Sequence, residues 1–328
     1  MSKFWMISDR EVKRDGLGKD RSRKETALSF WTSEGGALDD LGSWTPVDSD
    51  AFRRDLGEAA EGFPLVEDPA QHERQKHVTL FVHGFNTTWE EAARRYRKLC
   101  RDLFAPGSGL GICVLFTWPS DGMPTNYLPD RADARACAPD LAEVLCLLYD
   151  WMLVKQRMGA SDRSKACRAK TSIVAHSMGN YVLQNAMQLA WTRYNRPLLV
   201  SLVNQLVMVA ADVDNDLFGS GDEVSGGEGE GIANLTYRVT ALYTGRDSVL
   251  GMSAGLKHFG KRRLGRSGLD GEVGRPDNVW DIDCSRLIPS GADDVHSAYF
   301  EHKRTVDLMR ELLRGVDRGV LRAKGLVR

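Results

Sequence analysis

The chain has 328 residues, 42% of them hydrophobic, which is enough for one large globular domain or two small ones. With 44 Lys and Arg against 45 Asp and Glu, the net charge is -1, so the whole-chain charge draws it to neither nucleic acid nor an anionic membrane. No run approaches the ~18 consecutive apolar residues of a membrane span. Met1 to Arg14 carries charges throughout and no apolar signal core, so the expected location is cytoplasmic, without stable membrane insertion.

Lys3–Ser8 and Thr26–Trp31 read as two strands forming an antiparallel sheet edge, with a charged loop, Asp9–Lys24, between them. Glu34–Pro46 reads as a loop, Asp50–Ala60 as a helix with a weak apolar face, and Phe63–Gln75 as a surface connection. His77–Val82 is a strong buried strand. Thr88 caps the helix that follows, which runs to about Phe104 with Glu90 and Glu91 in its first turn. Gly111–Trp118 is the next strand and Ser120–Pro129 a loop. Asp130–Met158 is helical with an expected break at Pro139.

Ser172–Ala175 is a short apolar run expected of a strand buried on both faces, and a helix beginning near Met178 stops before Pro197. Gln205–Ala210, Tyr237–Tyr243 and Asn278–Asp283 are further strands. Asp212–Glu230 is acidic and glycine-rich, and reads as a mobile segment beside the pocket. Ser297–Leu313 is the final helix, and the basic tail is expected to fray. The organisation read from this is N-terminal edge strands and connection over 1–76, a catalytic core over 77–313 and a basic tail over 314–328. Strands alternating with helices predict an α/β domain with a mostly parallel central sheet, helices on both faces and an antiparallel N-terminal edge. The six cysteines form no C-x-x-C pair and read as reduced packing residues. No metal or organic cofactor is called for.

Between the strand and helix around residue 175 lies Ala175-His176-Ser177-Met178-Gly179, the small-x-Ser-x-Gly pattern of a nucleophile elbow. Such a turn holds the serine in a strained conformation with its hydroxyl clear of the sheet edge. Serine alone is a poor nucleophile near neutral pH and needs a base, oriented by an acid. Chain order in α/β-hydrolases is Ser, acid, His. Of seven histidines, His296, in the loop after the last strand, is preferred as base over His302, a turn into a helix. Asp247, following the Tyr237–Tyr243 strand, is preferred as acid. Asp214, with Asp212, is the alternative one strand earlier. Oxyanion donors are expected at the Met178 N–H and in the loop after His77–Val82, with Phe85 first and Asn86 second. His83 reads as a buried residue that fixes this loop. Phe85, Asn86, Trp89, Trp118, Met123, Tyr127 and Phe218 are candidates to contact substrate, the aromatics being as often plain core.

The blocks V-T-L-F-V-H-G-F-N-T-T-W-E-E-A-A-R-R, F-T-W-P-S-D-G, A-H-S-M-G-N, A-A-D-V-D-N-D-L-F and Y-T-G-R-D-S-V-L, with His296-Ser297-Ala298-Tyr299-Phe300, resemble the bacterial alpha/beta hydrolases of unknown function over about Thr79–Phe300. The resemblance implies an α/β-hydrolase fold and a Ser–Asp–His triad falling on Ser177, Asp247 and His296. It implies no settled substrate. The expected activity is hydrolysis of a small acyl ester through an acyl-enzyme. The alternatives are a lipase or phospholipase, for which the basic run Lys257–Arg266 would meet an anionic head group, a thioesterase or amidase, and a non-catalytic binding module on the same fold.

Overall fold

Phe4–Ser8 is buried at all but its first position, the pattern of a strand covered on both faces, and it opens the chain's first unit. The computed structural model describes residues 3–14, 16–22, 28–120, 127–162, 165–194, 201–219, 228–257, 260–271 and 275–327. These fall into two compact units, Met1–Thr171 and Ser172–Arg328.

The first unit runs β1 (Phe4–Ser8), β2 (Arg10–Lys13), β3 (Gly16–Arg21), β4 (Ser29–Ser33), β5 (Thr45–Val47), α1 (Ser49–Glu61), β6 (His77–Val82), α2 (Trp89–Asp102), β7 (Gly111–Thr117) and α3 (Tyr127–Ser161). β6 pairs parallel with β7, β7 parallel with β1, β1 antiparallel with β4, and β4 antiparallel with β5. The antiparallel edge thus lies where the sequence puts it. Its second strand starts at Ser29, and Thr26 and Ala27 lie outside the described residues.

Three expectations need correction. Asp9–Lys24 is not simply a loop, because β2 and β3 form a hairpin with Val12 opposite Leu17 and Lys13 opposite Gly16. Main-chain pairing, the buried Arg10 guanidinium and the single buried apolar side chain of Leu17 hold this hairpin, so it lacks the apolar alternation that would signal strands. Within the stretch Glu34–Pro46 the chain re-enters the sheet, since β5 begins at Thr45. α3 starts at Tyr127 and runs through Pro139 without a break. An interior proline costs ~3 kcal/mol. Burial of Ala134, Ala138, Leu141, Ala142 and Leu145 offsets that cost. At the other end of the unit Thr88 and Glu91 form a reciprocal capping box that starts α2, as their spacing predicts.

The second unit runs β8 (Lys170–His176, its first two residues at the unit boundary), α4 (Gly179–Tyr194), β9 (Val203–Val209), α5 (Glu230–Leu235), β10 (Thr236–Tyr243), α6 (Ser248–Met252), α7 (Leu264–Ser267), β11 (Val279–Asp283), α8 (Lys303–Leu313) and α9 (Arg318–Ala323). β8, β9, β10 and β11 pair in that order, every pairing parallel. The expected single helix Ser297–Leu313 is a 3-10 turn, Ala298–Phe300, followed by α8. The tail does not fray throughout: Asp317 caps α9, and Val316 and Leu321 are buried. In the acidic segment, Val213, Leu217 and Phe218 are core residues, and 220–227 lie outside the described residues.

The fold is therefore a predominantly parallel sheet with flanking helices and an antiparallel edge, the α/β-hydrolase arrangement. Functional loops in such sheets leave the carboxyl ends of the strands. Among the described residues no helix is long and apolar enough to cross a membrane. All six cysteines are free thiols.

Candidate active site

β8 is buried from Thr171 to its end at His176, and the chain then reverses into α4 through Ser177 and Met178. Ser177 has φ 53°, in the left-handed region that non-glycine residues rarely enter. Four hydrogen bonds hold it there. The Ser177 N–H donates to the Val209 carbonyl (3.0 Å), and the Ser177 carbonyl accepts from the Asp212 N–H (3.1 Å). The Asn180 side-chain amide reaches the carbonyls of Ala175 (3.0 Å) and Ser177 (3.1 Å). A strained turn persists only when its surroundings over-determine it, and this one is clamped from β9 and from α4. Met178 is fully buried at the head of the helix.

Asp247 ends the loop after β10 and is fully buried. Its two carboxylate oxygens have separate tasks. Oδ1 accepts from the Leu250 N–H at 2.9 Å and caps α6, while Oδ2 lies 2.7 Å from His296 Nδ1. The capping role fixes the carboxylate, so the oxygen facing His296 is held in place by helix formation. Arg266 donates to the Asp247 carbonyl as well. His296 lies in the loop after β11, with its side chain 11% exposed. Its main-chain carbonyl accepts from Nε2 of His176, at 3.1 Å, and the two imidazole rings stand 4.9 Å apart. His176 directly precedes Ser177, so the loop bearing His296 reaches the end of β8. Tyr299, three residues on, is a neutral phenol. Burial pushes its pKa well above the usual value, and Cys284 and Asp247 add to the shift.

Asp212 and Asp214 are placed elsewhere. Asp212 is buried and accepts from Arg263 Nε (2.8 Å) and Ser253 Oγ (3.0 Å). Asp214 pairs with Arg263 and with Lys261. Arg263 has no exposed surface, and Arg266 turns onto the Asp247 carbonyl. Within the run Lys257–Arg266, Arg263 and Arg266 are thus turned onto acidic and carbonyl partners, while Lys261 and Arg262 stay exposed and 258–259 lie outside the described residues. Gly265 completes the packing, since a Cβ there would strike the main chain of Ala210 and Ala211.

The remaining candidates, Phe218 apart, belong to the first unit. Phe85 and Asn86 are half-buried, and Asn86 has φ 55°. Phe85 meets Tyr127 edge-on at 5.4 Å, and Tyr127 is nearly closed off, at 3% exposed. Trp118 has no exposed surface. It stacks on His83 and donates from Nε1 to the His83 carbonyl (2.8 Å), so it packs in this structure as a core residue. Trp89 and Phe218 are likewise buried, and Met123 lies outside the described residues. His83 does fix its loop. Its Nδ1–H donates to Gly84 O (2.9 Å), and Nε2 accepts from Trp118 N–H (3.2 Å) and lies 3.0 Å from Thr117 Oγ1. Burial, reinforced by Arg10, holds its pKa well below the ordinary value.

Sequence reasoning passed over four residues. Arg10 is buried and donates to Thr117 Oγ1 and to the carbonyls of Gly18, Ser120 and Thr87. The others are His176, Asn180 and Arg263. Each sits in a polar or mixed stretch, and only its partners give it meaning. A faint signal was available for His176 and Asn180, since both fall in the A-H-S-M-G-N block around the serine. Among the described residues no three His, Cys, Asp or Glu side chains gather as a metal site.

No curated protein matches the chain. Solved structures similar to it include an esterase from Pyrobaculum calidifontis, 14% identical, covering 74% of this chain and 76% of that one with a TM-score of 0.38. Another is the phospholipase PlaB from Legionella pneumophila in complex with thio-NAD, 15% identical over 76% of this chain and 62% of that one, TM-score 0.38. A third is the carboxylesterase EstE1 from a metagenomic library, 11% identical over 82% and 97%, TM-score 0.35. A family model described as alpha/beta hydrolase of unknown function (DUF900) matches residues 64–275, more than half of the chain, and the chain belongs to that family.

Proposed function

We propose that this protein is a serine hydrolase that cleaves carboxylic esters through an acyl-enzyme. The observation that carries the reading is the 2.7 Å contact between Asp247 Oδ2 and His296 Nδ1. With Nδ1–H committed to a carboxylate, the neutral imidazole presents Nε2 as its base. Ser177 Oγ attacks the ester carbonyl carbon as His296 Nε2 takes the hydroxyl proton. The imidazolium, stabilised by Asp247, then gives that proton to the departing alcohol. Water repeats the sequence on the acyl-serine, releasing the acid and restoring the hydroxyl. The Met178 N–H supplies one donor for the oxyanion, as the residue after the nucleophile does in this fold. The second donor is the Phe85 N–H, assigned from its place in the loop after β6.

The test is labelling with a fluorophosphonate probe, followed by turnover of a panel of esters of increasing acyl length. Wild-type protein labels at Ser177 and Ser177→Ala does not. A folded wild type that neither labels nor turns over any ester would leave the fold as a binding module and overturn the reading.

A further inference from the structure

His176 has no part in the reaction just described, yet it is the residue through which the base's loop meets the nucleophile's strand. It ends β8 and is 2% exposed. Its Nε2 lies 3.1 Å from the His296 carbonyl oxygen. A carbonyl only accepts, so Nε2 carries the proton and donates. The ring also packs 4.9 Å from the His296 ring, tilted by 49°, and takes the Phe300 ring edge-on at 5.2 Å.

These contacts matter because of where His296 resides. It belongs to no helix or strand, lying between β11 and the Ala298–Phe300 turn. Asp247 fixes one ring nitrogen and the Ser297 N–H donates to Asp294 Oδ1, but neither contact holds the main-chain carbonyl of His296 itself. The His176 bond supplies a second fixed point, on the main chain of the same residue. His176 is also covalently joined to Ser177, whose own conformation is clamped from β9 and α4. The position of the base is thereby referred to the position of the nucleophile through one peptide bond. Proton transfer from the serine hydroxyl demands heavy-atom distances of roughly 2.6–3.2 Å. A loop-borne base gains that control only from packing and hydrogen bonds around it.

We infer that His176 is a positioning residue that sets the place of His296 against Ser177. The inference rests on the serine-hydrolase reading for its kinetic consequence but not for its structural one. His176→Phe keeps an aromatic ring and removes the donor. His176→Gln removes the ring and keeps an amide N–H within reach of the carbonyl. Misplacement of a catalytic group by about 1 Å costs on the order of 10²-fold. The expected result for His176→Phe is a 10- to 100-fold loss, roughly, in kcat and in the rate of fluorophosphonate labelling. KM should stay within about twofold, because ground-state binding is not at issue. His176→Gln should recover a large part of the loss. A purely structural role would instead lower activity only in step with the unfolded fraction, equally in both variants.

A second readout keeps the two readings separable. The His296 Nδ1 proton, held on Asp247, should give a downfield NMR resonance in wild type. It should broaden or vanish in His176→Phe and return in His176→Gln. If wild-type Ser177 fails to label while the resonance behaves this way, the hydrolase reading falls and the positioning role stands. If wild type labels, and His176→Phe labels at the same rate with an unchanged resonance, the positioning role is overturned and the hydrolase reading stands.

Discussion

After β6 the chain turns through His83-Gly84-Phe85-Asn86, with Asn86 at φ 55°, and after β8 it turns through His176-Ser177-Met178, with Ser177 at φ 53°. Each turn has a buried histidine at the strand end and a left-handed non-glycine residue soon after. The two histidines differ in where their polar atoms go. His83 bonds with Gly84, Thr117 and Trp118, all neighbours at two adjacent strand ends, and burial keeps it neutral. His176 donates instead to the main chain of His296, a residue 120 positions away whose own Nδ1 rests on a buried carboxylate. A histidine whose bonds close on its own turn stiffens that turn. One that bonds to a distant loop fixes the relation between two segments, and chemistry between a nucleophile and a base depends on such a relation.

The sharpest way to break the contrast is at Asp247. Asp247→Asn should lower ester turnover by on the order of 10⁴, as loss of the acid does in a Ser-His-Asp triad. Asp214→Asn should leave turnover within about an order of magnitude, because Asp214 is paired with Arg263 and Lys261, not with the imidazole. Steady-state kinetics on one short-chain ester decides between them. A larger loss in folded Asp214→Asn would move the acid one strand earlier.

The first turn should fail in stability, and the largest effect there should come from Arg10. Its side chain satisfies three carbonyls and the Thr117 hydroxyl out of reach of water. Removing one partner of a buried charged network costs on the order of 3–5 kcal/mol. Arg10→Met should therefore show a loss of that size in denaturant unfolding. His83→Phe, which strands the Trp118 N–H, should lose about 1–3 kcal/mol. Equal losses would mean that the guanidinium is not the turn's main support.

Beside Arg10 lies a pH-dependent term. Asp9 is fully buried, and burial raises its carboxyl to about 7 although the Cys137 thiol and Arg10 favour ionisation. Asp140, itself paired with Arg21, adds to the rise. A carboxyl held above its unfolded value contributes stability that is complete below about pH 4 and is lost as pH rises through about 7. Wild-type Tm should fall across that interval, and Asp9→Asn should flatten the profile. The variant should be the more stable protein at pH 8. Parallel profiles would show that Asp9 titrates alike in the folded and unfolded chain.

The parts of this architecture legible in sequence were those with one-dimensional signals. β6 and β8 announce themselves by apolar runs, α2 by Thr88 and Glu91, and the sharp turn between β8 and α4 by Ala175 to Gly179. The pairing of Asp247 with His296 followed from strand order, since each leaves the carboxyl end of adjacent strands β10 and β11. The β2–β3 hairpin was hidden because Glu11, Val12 and Lys13 all face outward, so no alternation exists to be read. Arg263 was hidden because a buried arginine in a basic run looks like its exposed neighbours until Asp212 and Asp214 are placed. Pro139 misled for the opposite reason: a local rule was outweighed by tertiary packing of α3. Trp118 was ambiguous because a strand-end aromatic fits a pocket wall and a core equally well in one dimension, and only the fold shows it buried.

The smallest effects test whether the two turns carry the same backbone strain. Ser177→Gly and Ser177→Ala both delete the hydroxyl, so their difference isolates the conformational term. Left-handed backbone costs a residue with a Cβ about 1–2 kcal/mol, and glycine is spared it. Ser177→Gly should thus be more stable than Ser177→Ala by about 1 kcal/mol, after allowing for the greater freedom glycine gives the unfolded chain. Asparagine enters the same region more readily than serine. Asn86→Gly should therefore change stability little from wild type, whereas Ser177→Gly should exceed it. Chemical denaturation of the four proteins, with replicates tight enough to resolve about 0.5 kcal/mol, is the measurement. A gain at position 177 without one at 86 would mean that only the nucleophile's turn stores strain, as a site that must hold a hydroxyl clear of its sheet requires. Equal gains would mean that the left-handed residue is a generic strand-end reversal in this chain, and that the conformation of Ser177 says nothing about its chemistry.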